Sequence, residues 1–349
     1  MKRKLSKIYL DNGYFNAKWA YNECRGYLSV VGARATGKTY GFLKLIIEKE
    51  VKFIYLRRLQ TQLDASADFD GNPFKKLNTD MGWNIQPFKK KDRLLFYHAE
   101  IDPESGKFIP VGNVLGIGLA LSTMSAIKGV DFSDVDCLIF DEFIAMVGER
   151  PIKNEFTAFE NFVETVARNR ELEGRNPLKI IMLANANKLS NPYFTAWGFM
   201  KTALKMIKGG QMVWRSGDNS RIMILLNNSP ISKKKAETTL YKNASDGFLS
   251  MALDNAFRID ATNVQSYSLK ECRHIVSVGE IGIYRHKSKR RHYVSETVNR
   301  NNYYEGYGMK LKMFRSDYML LKNIYLAGAM DFENFETELI FREYFDLTD

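Results

Sequence analysis

Gly32-Ala33-Arg34-Ala35-Thr36-Gly37-Lys38-Thr39 is the stretch of sequence that decides the fold. It follows an apolar run, residues 27–31 (Tyr-Leu-Ser-Val-Val), which predicts a buried strand. The segment from Lys38 to about residue 51 carries leucine and isoleucine at helical spacing, and residues 53–56 predict a second short strand. A strand, a glycine-rich turn, a helix and another strand form a βαβ unit. This order predicts an α/β fold with a mainly parallel sheet.

The glycine-rich stretch matches the full P-loop pattern, Gly-x4-Gly-Lys-Thr. Gly32 and Gly37 allow a tight turn that points backbone N–H groups and the start of the helix at phosphate groups. Lys38 is expected to reach the β- and γ-phosphates of ATP, and the Thr39 hydroxyl to ligate Mg²⁺. Arg34 either contacts phosphate or points outward. An ordinary glycine-rich loop with a surface lysine is the alternative, but it does not require the flanking strand and helix.

Two acids, Asp141 and Glu142, end a further apolar run that begins at residue 135. A buried strand with this ending places a carboxylate at the carboxyl edge of a parallel sheet, where ligands bind in such folds. We expect Asp141 to hold Mg²⁺ through a water molecule, and Glu142 to orient and deprotonate the attacking water. Acid pairs at strand ends are common, so this hypothesis depends on the P-loop upstream.

Two arginines and one asparagine could complete the site. Arg168 and Arg170 end the helix predicted over residues 156–170, and either could stabilise a transferring phosphoryl group in a neighbouring subunit. A solvated basic helix end, favoured by the helix dipole, is the alternative. Asn185 follows the strand predicted over residues 178–184, where its amide could sense the γ-phosphate or simply form a turn.

Composition and charge limit the possible partners. Apolar residues make up 45% of the 349 residues and charged residues 26%, which is typical of a folded globular protein. Lys and Arg outnumber Asp and Glu by 51 to 40, and the net charge of +11 favours a polyanionic partner, although a merely soluble basic protein looks the same. Three widely spaced cysteines indicate a reducing, intracellular setting. The chain has neither a long apolar run nor a signal core, so we expect no membrane segment.

The C-terminal part has a different pattern. A boundary at Asn227-Asn-Ser-Pro230 divides the chain into a P-loop domain over residues 1–226, a helical linker over 227–255 and a smaller basic α+β domain over 256–349. Residues 281–284 and 292–295 predict a hairpin whose basic tip could hold nucleic acid by charge and stacking. The tip residues are Arg285, Lys287, Lys289, Arg290 and Arg291. A solvated hairpin tip is the alternative.

A two-metal nuclease site is not expected in this C-terminal part. Such a site needs several acids that converge on one point. Asp260, Glu271 and Glu280 do not end strands at regular intervals, and no nucleophilic triad is visible.

Segments beyond the P-loop resemble a known family. They are Gly32–Tyr40, Phe53–Arg58, Ile139–Ile144, Arg168–Glu171 and Leu183–Ala186 followed by Asn191–Phe194. Their order and spacing are similar to those of the genome-packaging ATPases, or encapsidation proteins, of small podophages with protein-primed linear genomes. The resemblance is dense over residues 26–200 and thin afterwards.

The resemblance implies an ASCE-type P-loop ATPase domain similar to that of large terminases, and a second domain that resembles a degenerate RNase H-like nuclease. Arg168 matches the family's trans-acting arginine finger, and Asn185 the polar residue after the finger helix. Lys128 resembles the lysine that couples neighbouring subunits, a role also expected for Arg170.

The function implied is ATP- and Mg²⁺-dependent packaging of double-stranded DNA. A homo-oligomeric ring, pentameric in this family, would dock transiently on the portal of a prohead in the host cytoplasm and be absent from the mature virion. Some relatives also dock on a structural RNA, and the sequence leaves that partner open. Two alternatives share the same motifs: a helicase-type NTPase that acts on free nucleic acid, and a non-enzymatic basic scaffold with a vestigial P-loop.

Overall fold

The computed structural model describes residues 7–127, 131–146, 149–187, 189, 191–226, 229–243, 264–265 and 267–347. The chain divides into two compact units. The first comprises Met1–Asn187 with Gly210–Phe257, and the second comprises Lys188–Gly209 with Arg258–Asp349. The domains expected from the sequence placed residues 188–209 in the first domain, whereas these residues group with the second unit. Residues 244–255 of the expected linker lie outside the described residues.

A nine-stranded sheet forms the centre of the first unit. Its strands are β1 (Tyr27–Gly32), β2 (Phe53–Arg57), β3 (Ile85–Lys90), β4 (Arg93–Ile101), β5 (Phe108–Ala120), β6 (Cys137–Asp141), β7 (Lys179–Ala184), β8 (Val213–Arg215) and β9 (Arg221–Leu226). The strand order is β3-β4-β5-β2-β6-β7-β1-β9-β8. The six strands from β5 to β9 in this order pair in parallel, and β3, β4 and β8 add antiparallel pairs at the two sides. The expectation of a mainly parallel sheet is confirmed.

The first unit also contains helices. They are Ala17–Glu23, Lys38–Glu48, Gln60–Ala65, Lys75–Met81, Glu155–Ala167, Pro230–Ala236 and Thr239–Lys242, with a 3₁₀ segment at Leu121–Ile127. The helix after the P-loop buries Phe42, Leu43 and Ile46 in the same core as Leu28 and Val30 of β1. Burial of each such side chain contributes about 1.5–3 kcal/mol. The P-loop is therefore anchored at both ends by packed elements.

The pairing of the parallel strands decides which loops meet. Val31 of β1 lies beside Ala184 of β7, and Leu183 of β7 lies beside Asp141 of β6. On the far side of β6, Phe140 lies beside Leu56 of β2. The carboxyl ends of β1, β7, β6 and β2 therefore share one edge of the sheet.

The second unit contains a five-stranded sheet, in the order β13-β10-β11-β12-β14. Its strands are β10 (Cys272–Val278), β11 (Ile281–His286), β12 (His292–Ser295), β13 (Tyr303–Tyr304) and β14 (Met330–Phe332). The predicted hairpin is confirmed, because β11 and β12 pair antiparallel. The helices are Pro192–Ala196, Met200–Lys208, Gly308–Asp317, Met319–Leu326 and Phe335–Tyr344, with a 3₁₀ turn at Leu269–Glu271. Across the described ranges, none of the helices combines the length and the apolar character needed to cross a bilayer.

Candidate nucleotide-binding site

The P-loop turns from β1 into the helix Lys38–Glu48 through two residues in the left-handed region, Ala35 (φ 56°) and Gly37 (φ 88°). A Cβ atom on Gly32 would lie 2.8 Å from Leu226 Cδ1, and a Cβ atom on Gly37 would lie 3.1 Å from Tyr14 Cδ1. A side chain at Gly32 would collide with β9, and Gly37 combines a close neighbour with a backbone conformation that favours glycine. Steric constraints therefore explain why both positions of the motif are glycine.

Lys38 lies inside the turn of the P-loop. Its Nζ donates hydrogen bonds to the carbonyl oxygens of Gly32 and Ala33, both at 2.9 Å, and to Asn185 Oδ1 at 3.3 Å. Burial lowers the pKa of Lys38 to about 8, and the nearby Asp141 carboxylate offsets part of that shift. The structure thus brings Asn185, at the end of β7, to the lysine of the P-loop.

The lowered pKa of Lys38 predicts a pH dependence of nucleotide affinity. Phosphate oxygens favour the charged ammonium, so the bound state has the higher pKa and nucleotide binding takes up a proton above pH 8. We expect the Kd for ATP to be flat below about pH 8 and to rise by up to about tenfold per pH unit above it. Titrations at pH 7, 8 and 9 would measure this. Lys38→Arg, which stays charged, should show a flat profile, and a flat wild-type profile would contradict the prediction.

Asp141, the last residue of β6, faces the hydroxyl of Thr39. Thr39 Oγ1 donates to Asp141 Oδ1 at 2.9 Å, and the Tyr55 hydroxyl donates to Asp141 Oδ2 at 3.0 Å. A hydroxyl and a carboxylate are hard oxygen donors of the kind Mg²⁺ prefers, and Mg²⁺ at such sites takes its other ligands from phosphate groups and water. Among the described residues, no cluster of three His, Cys, Asp or Glu could hold a metal by itself. The donor set therefore fits a magnesium–nucleotide complex.

Arg57, at the end of β2, contacts both acids. Its Nη1 lies 3.3 Å from Asp141 Oδ2 and its Nη2 lies 2.6 Å from Glu142 Oε2, with only 14% of the side chain exposed. Glu142 itself has a left-handed backbone (φ 59°), which ends the extended run of β6. Neither the role of Tyr55 nor the contact between Arg57 and the acids is visible in the sequence. An arginine at the end of a buried strand was the available signal, but its partners are distant in the chain.

Removing Arg57 should destabilise the nucleotide-free protein, and bound Mg²⁺ and nucleotide should restore part of the lost stability. Arg57→Met leaves two neighbouring carboxylates without their counter-charge, which should cost about 3 kcal/mol of unfolding free energy. Bound Mg²⁺ would replace the missing positive charge, so added Mg²⁺ and ADP should raise the urea midpoint more in the variant than in the wild type.

Arg58→Met provides the matched control for this prediction. Arg58 is also buried, but it pairs with Glu149 at 2.6 Å and with Glu155 at 2.7 Å. We expect Arg58→Met to lose a similar amount of stability. Added Mg²⁺ and ADP should raise its urea midpoint no more than they raise that of the wild type. Equal recovery in the two variants would show that the repair is not specific to Asp141 and Glu142.

The arginines expected to act between subunits lie elsewhere. Arg168 follows the helix Glu155–Ala167 with φ 45°, is 54% exposed at its side chain, and has Nη1 3.6 Å from Asp131 Oδ1. Arg170 is only 4% exposed, donates to the Val135 carbonyl at 2.8 Å and pairs with Asp136, just before β6 begins. This burial within its own subunit does not support the expected coupling role of Arg170. Lys128 lies outside the described residues.

The basic hairpin tip of the second unit presents mostly exposed charge. Arg285, Lys287, Lys289 and Arg290 are exposed. Arg291 differs, because its Nε donates to Asp331 Oδ2 at 2.9 Å and its Nη1 donates to the Gly328 carbonyl at 2.6 Å. Arg291 therefore ties β12 to β14, and four of the five predicted basic residues face solvent.

The nucleotide pocket combines these elements into one cavity. It has a volume of about 340 Å³. It is lined by the P-loop from Arg34 to Thr39, by Asp141 and Glu142, and by Asn185. Phosphate-binding backbone, a buried lysine, a hydroxyl–carboxylate pair and a second carboxylate thus meet at one place. Such an arrangement can bind a nucleoside triphosphate with Mg²⁺ and activate water.

Comparisons with known proteins identify the family of this chain. The family model of the podovirus DNA encapsidation protein (Gp16) matches residues 11–330. The DNA packaging protein of Bacillus phage B103 is 29% identical over 242 residues, which cover 66% of this chain and 64% of that protein. The chain therefore matches slightly less than two thirds of the length of this relative.

Solved structures show the same fold. The Phi-28 gp11 DNA packaging motor has a TM-score of 0.59 at 20% identity, over 97% of this chain and 100% of that chain. The bacteriophage Phi-29 viral genome packaging motor assembly has a TM-score of 0.53 at 19% identity, over 95% and 99%. Since the family model spans nearly the whole chain, the protein belongs to the podovirus DNA encapsidation protein (Gp16) family.

Proposed function

We propose that this protein is an ATP-driven motor that moves double-stranded DNA into a prohead. The observation that carries the proposal is the meeting of Lys38, Thr39, Asp141 and Glu142 at one sheet edge. The similar protein of Bacillus phage B103 is named a DNA packaging protein. The net charge of +11 suits a polyanionic substrate.

Each residue of the site has a role in hydrolysis. Lys38 and the backbone N–H groups of the P-loop bind the phosphates. Thr39 would ligate Mg²⁺, and Asp141 would hold it through a water molecule. When bound, Mg²⁺ neutralises charge on the phosphate oxygens. Glu142 accepts a proton from water as the water oxygen bonds to the γ-phosphorus, and the bond from that phosphorus to the β-phosphate oxygen breaks.

Two further residues position these groups. The Arg57 guanidinium, 2.6 Å from Glu142, holds the carboxylate in place. The Asn185 amide senses the γ-phosphate, and its contact with Lys38 Nζ at 3.3 Å supports this role.

Arg168 acts on the site of a neighbouring subunit. It is more than half exposed and contacts Asp131, which is not one of the site acids. An exposed guanidinium can reach the active site of a neighbouring subunit and supply its positive charge there. The active form is a homo-oligomeric ring, pentameric by family resemblance, in which Lys128 couples neighbours.

The second unit acts in binding and not in catalysis. We infer a degenerate RNase H-like fold without nuclease activity, whose exposed basic hairpin tip binds DNA, the portal or a structural RNA. Arg285, Lys287, Lys289 and Arg290 supply the charge. The ring docks transiently on the prohead in the host cytoplasm and leaves before the virion matures.

ATP-dependent protection of double-stranded DNA from added nuclease, in the presence of proheads, tests the proposed function. Protection that requires both ATP and proheads supports packaging. Strand separation without proheads would favour a helicase-type NTPase instead. Absence of ATP hydrolysis with DNA and proheads present would favour a non-enzymatic scaffold, and metal-dependent cutting of plasmid DNA would reveal a nuclease.

A further inference from the structure

A lysine from outside the P-loop holds the loop backbone. Lys233, Lys234 and Lys235 lie in the last turn of the helix Pro230–Ala236, shortly after β9. Lys233 and Lys234 are exposed, whereas Lys235 is partly buried. Its Nζ donates a hydrogen bond to the carbonyl oxygen of Arg34 at 2.7 Å. One of these three lysines thus reaches the P-loop of the nucleotide site.

Two lysines therefore bind three successive carbonyl groups of the P-loop. Lys38 binds those of Gly32 and Ala33 from inside the turn, and Lys235 binds that of Arg34. The next residue, Ala35, has the left-handed φ of 56° that the turn requires. A charged donor on the Arg34 carbonyl fixes the peptide that leads into this unfavourable conformation.

The helix that carries Lys235 is itself anchored beside the loop. A Cβ atom on Gly13 would lie 3.1 Å from Pro230 Cβ, so the start of the helix packs closely on the turn at Gly13. Two residues further, the Phe15 N–H donates to the Thr36 carbonyl of the P-loop at 2.9 Å. The helix and the P-loop thus share a common support.

Lys235 also contacts the following helix, Thr239–Lys242. Its Nζ lies 5.7 Å from the centre of the Tyr241 ring, within range of a cation–π interaction. One side chain therefore connects the P-loop with both helices of residues 230–242. Burial is the main cause of the lowered pKa of Lys38, and the positive charge of Lys235 lowers this pKa further. The charge of Lys235 therefore acts on the nucleotide pocket.

We propose that Lys235 is a positioning residue that couples nucleotide binding at the P-loop to residues 230–242. This inference rests on the proposed function, since it needs a nucleotide at the P-loop. When phosphate groups enter, Lys38 exchanges the carbonyls of Gly32 and Ala33 for phosphate oxygens and the loop adjusts. The hydrogen bond from Lys235 carries that adjustment to the helix Pro230–Ala236.

Hydrogen exchange with and without Mg²⁺ and ATPγS tests the coupling. In the wild type, nucleotide should change exchange in the P-loop and in residues 230–242. Lys235→Met should keep the P-loop response and lose the response of 230–242, and its Kd for ATP should rise about five- to tenfold. Lys235→Arg, which keeps a charged donor, should restore both properties.

Lys234→Met is the matched control, because it removes the same charge from an exposed neighbour. It should behave as the wild type. A Lys235→Met protein whose residues 230–242 still respond overturns the inference and leaves the proposed function standing. Loss of the response in Lys234→Met as well would also overturn it, because general charge would then be the cause. A wild-type P-loop that does not respond to ATPγS overturns the proposed function itself.

Discussion

Glu142→Gln is expected to lower DNA-stimulated ATP hydrolysis by about 10²–10⁴-fold while ATP still binds. The amide has the shape of the carboxylate but cannot accept the proton of the attacking water. Its oxygen can still accept a hydrogen bond from Arg57, which lies 2.6 Å from Glu142 Oε2 in the wild type. The phosphate-binding groups of the P-loop are unchanged. The loss should therefore appear in the hydrolysis rate and hardly in the affinity.

Single-turnover hydrolysis and a fluorescence titration with labelled ATP would separate the two effects. Glu48→Gln is a suitable control, because Glu48 lies on the helix that follows the P-loop but pairs only loosely with Lys44, at 3.6 Å. It should hydrolyse ATP at the wild-type rate. Hydrolysis that survives in Glu142→Gln would remove Glu142 from the role of general base.

Arg168→Ala should lower DNA-stimulated hydrolysis by about 10³-fold or more, because an arginine supplied in trans stabilises the charge of the transferring phosphoryl group. The folded subunit should be little affected. The side chain is 54% exposed and its ion pair with Asp131, at 3.6 Å, is on the surface. Arg175→Ala is the control, since Arg175 lies nearby in the chain and forms a comparable pair with Asp136 at 3.3 Å.

Mixed rings distinguish trans action from action within one subunit. A Glu142→Gln subunit still carries Arg168, and an Arg168→Ala subunit still carries Glu142. Where the first supplies its arginine to the second, the interface is complete and hydrolysis should partly recover. If no mixing ratio exceeds the activity of either variant alone, Arg168 does not act in trans.

Local sequence was enough to predict the part of the site that is continuous in the chain. The helix from Lys38 and the strand before Gly32 were predicted from periodicity, and the structure places them at Lys38–Glu48 and Tyr27–Gly32. Asp141 ends its strand as expected. The periodicity of apolar residues shows whether one face of a segment is buried, and it depends only on residues that are close together in the sequence. The mainly parallel sheet followed from the same βαβ reasoning.

Tertiary structure alone decided which distant side chains meet. β2 pairs with β6, and this places Arg57 on Asp141 and Glu142. Packing of the helix Pro230–Ala236 beside the P-loop brings Lys235 to Arg34. Arg170 is buried against Val135 and Asp136, and the sequence carried no signal of these two partners. Charged side chains carry no periodic signal of their partners, so strand order and helix packing decide their pairing. The sequence by itself determined the nucleotide loop and its acids, and only the tertiary structure decided which cations hold them.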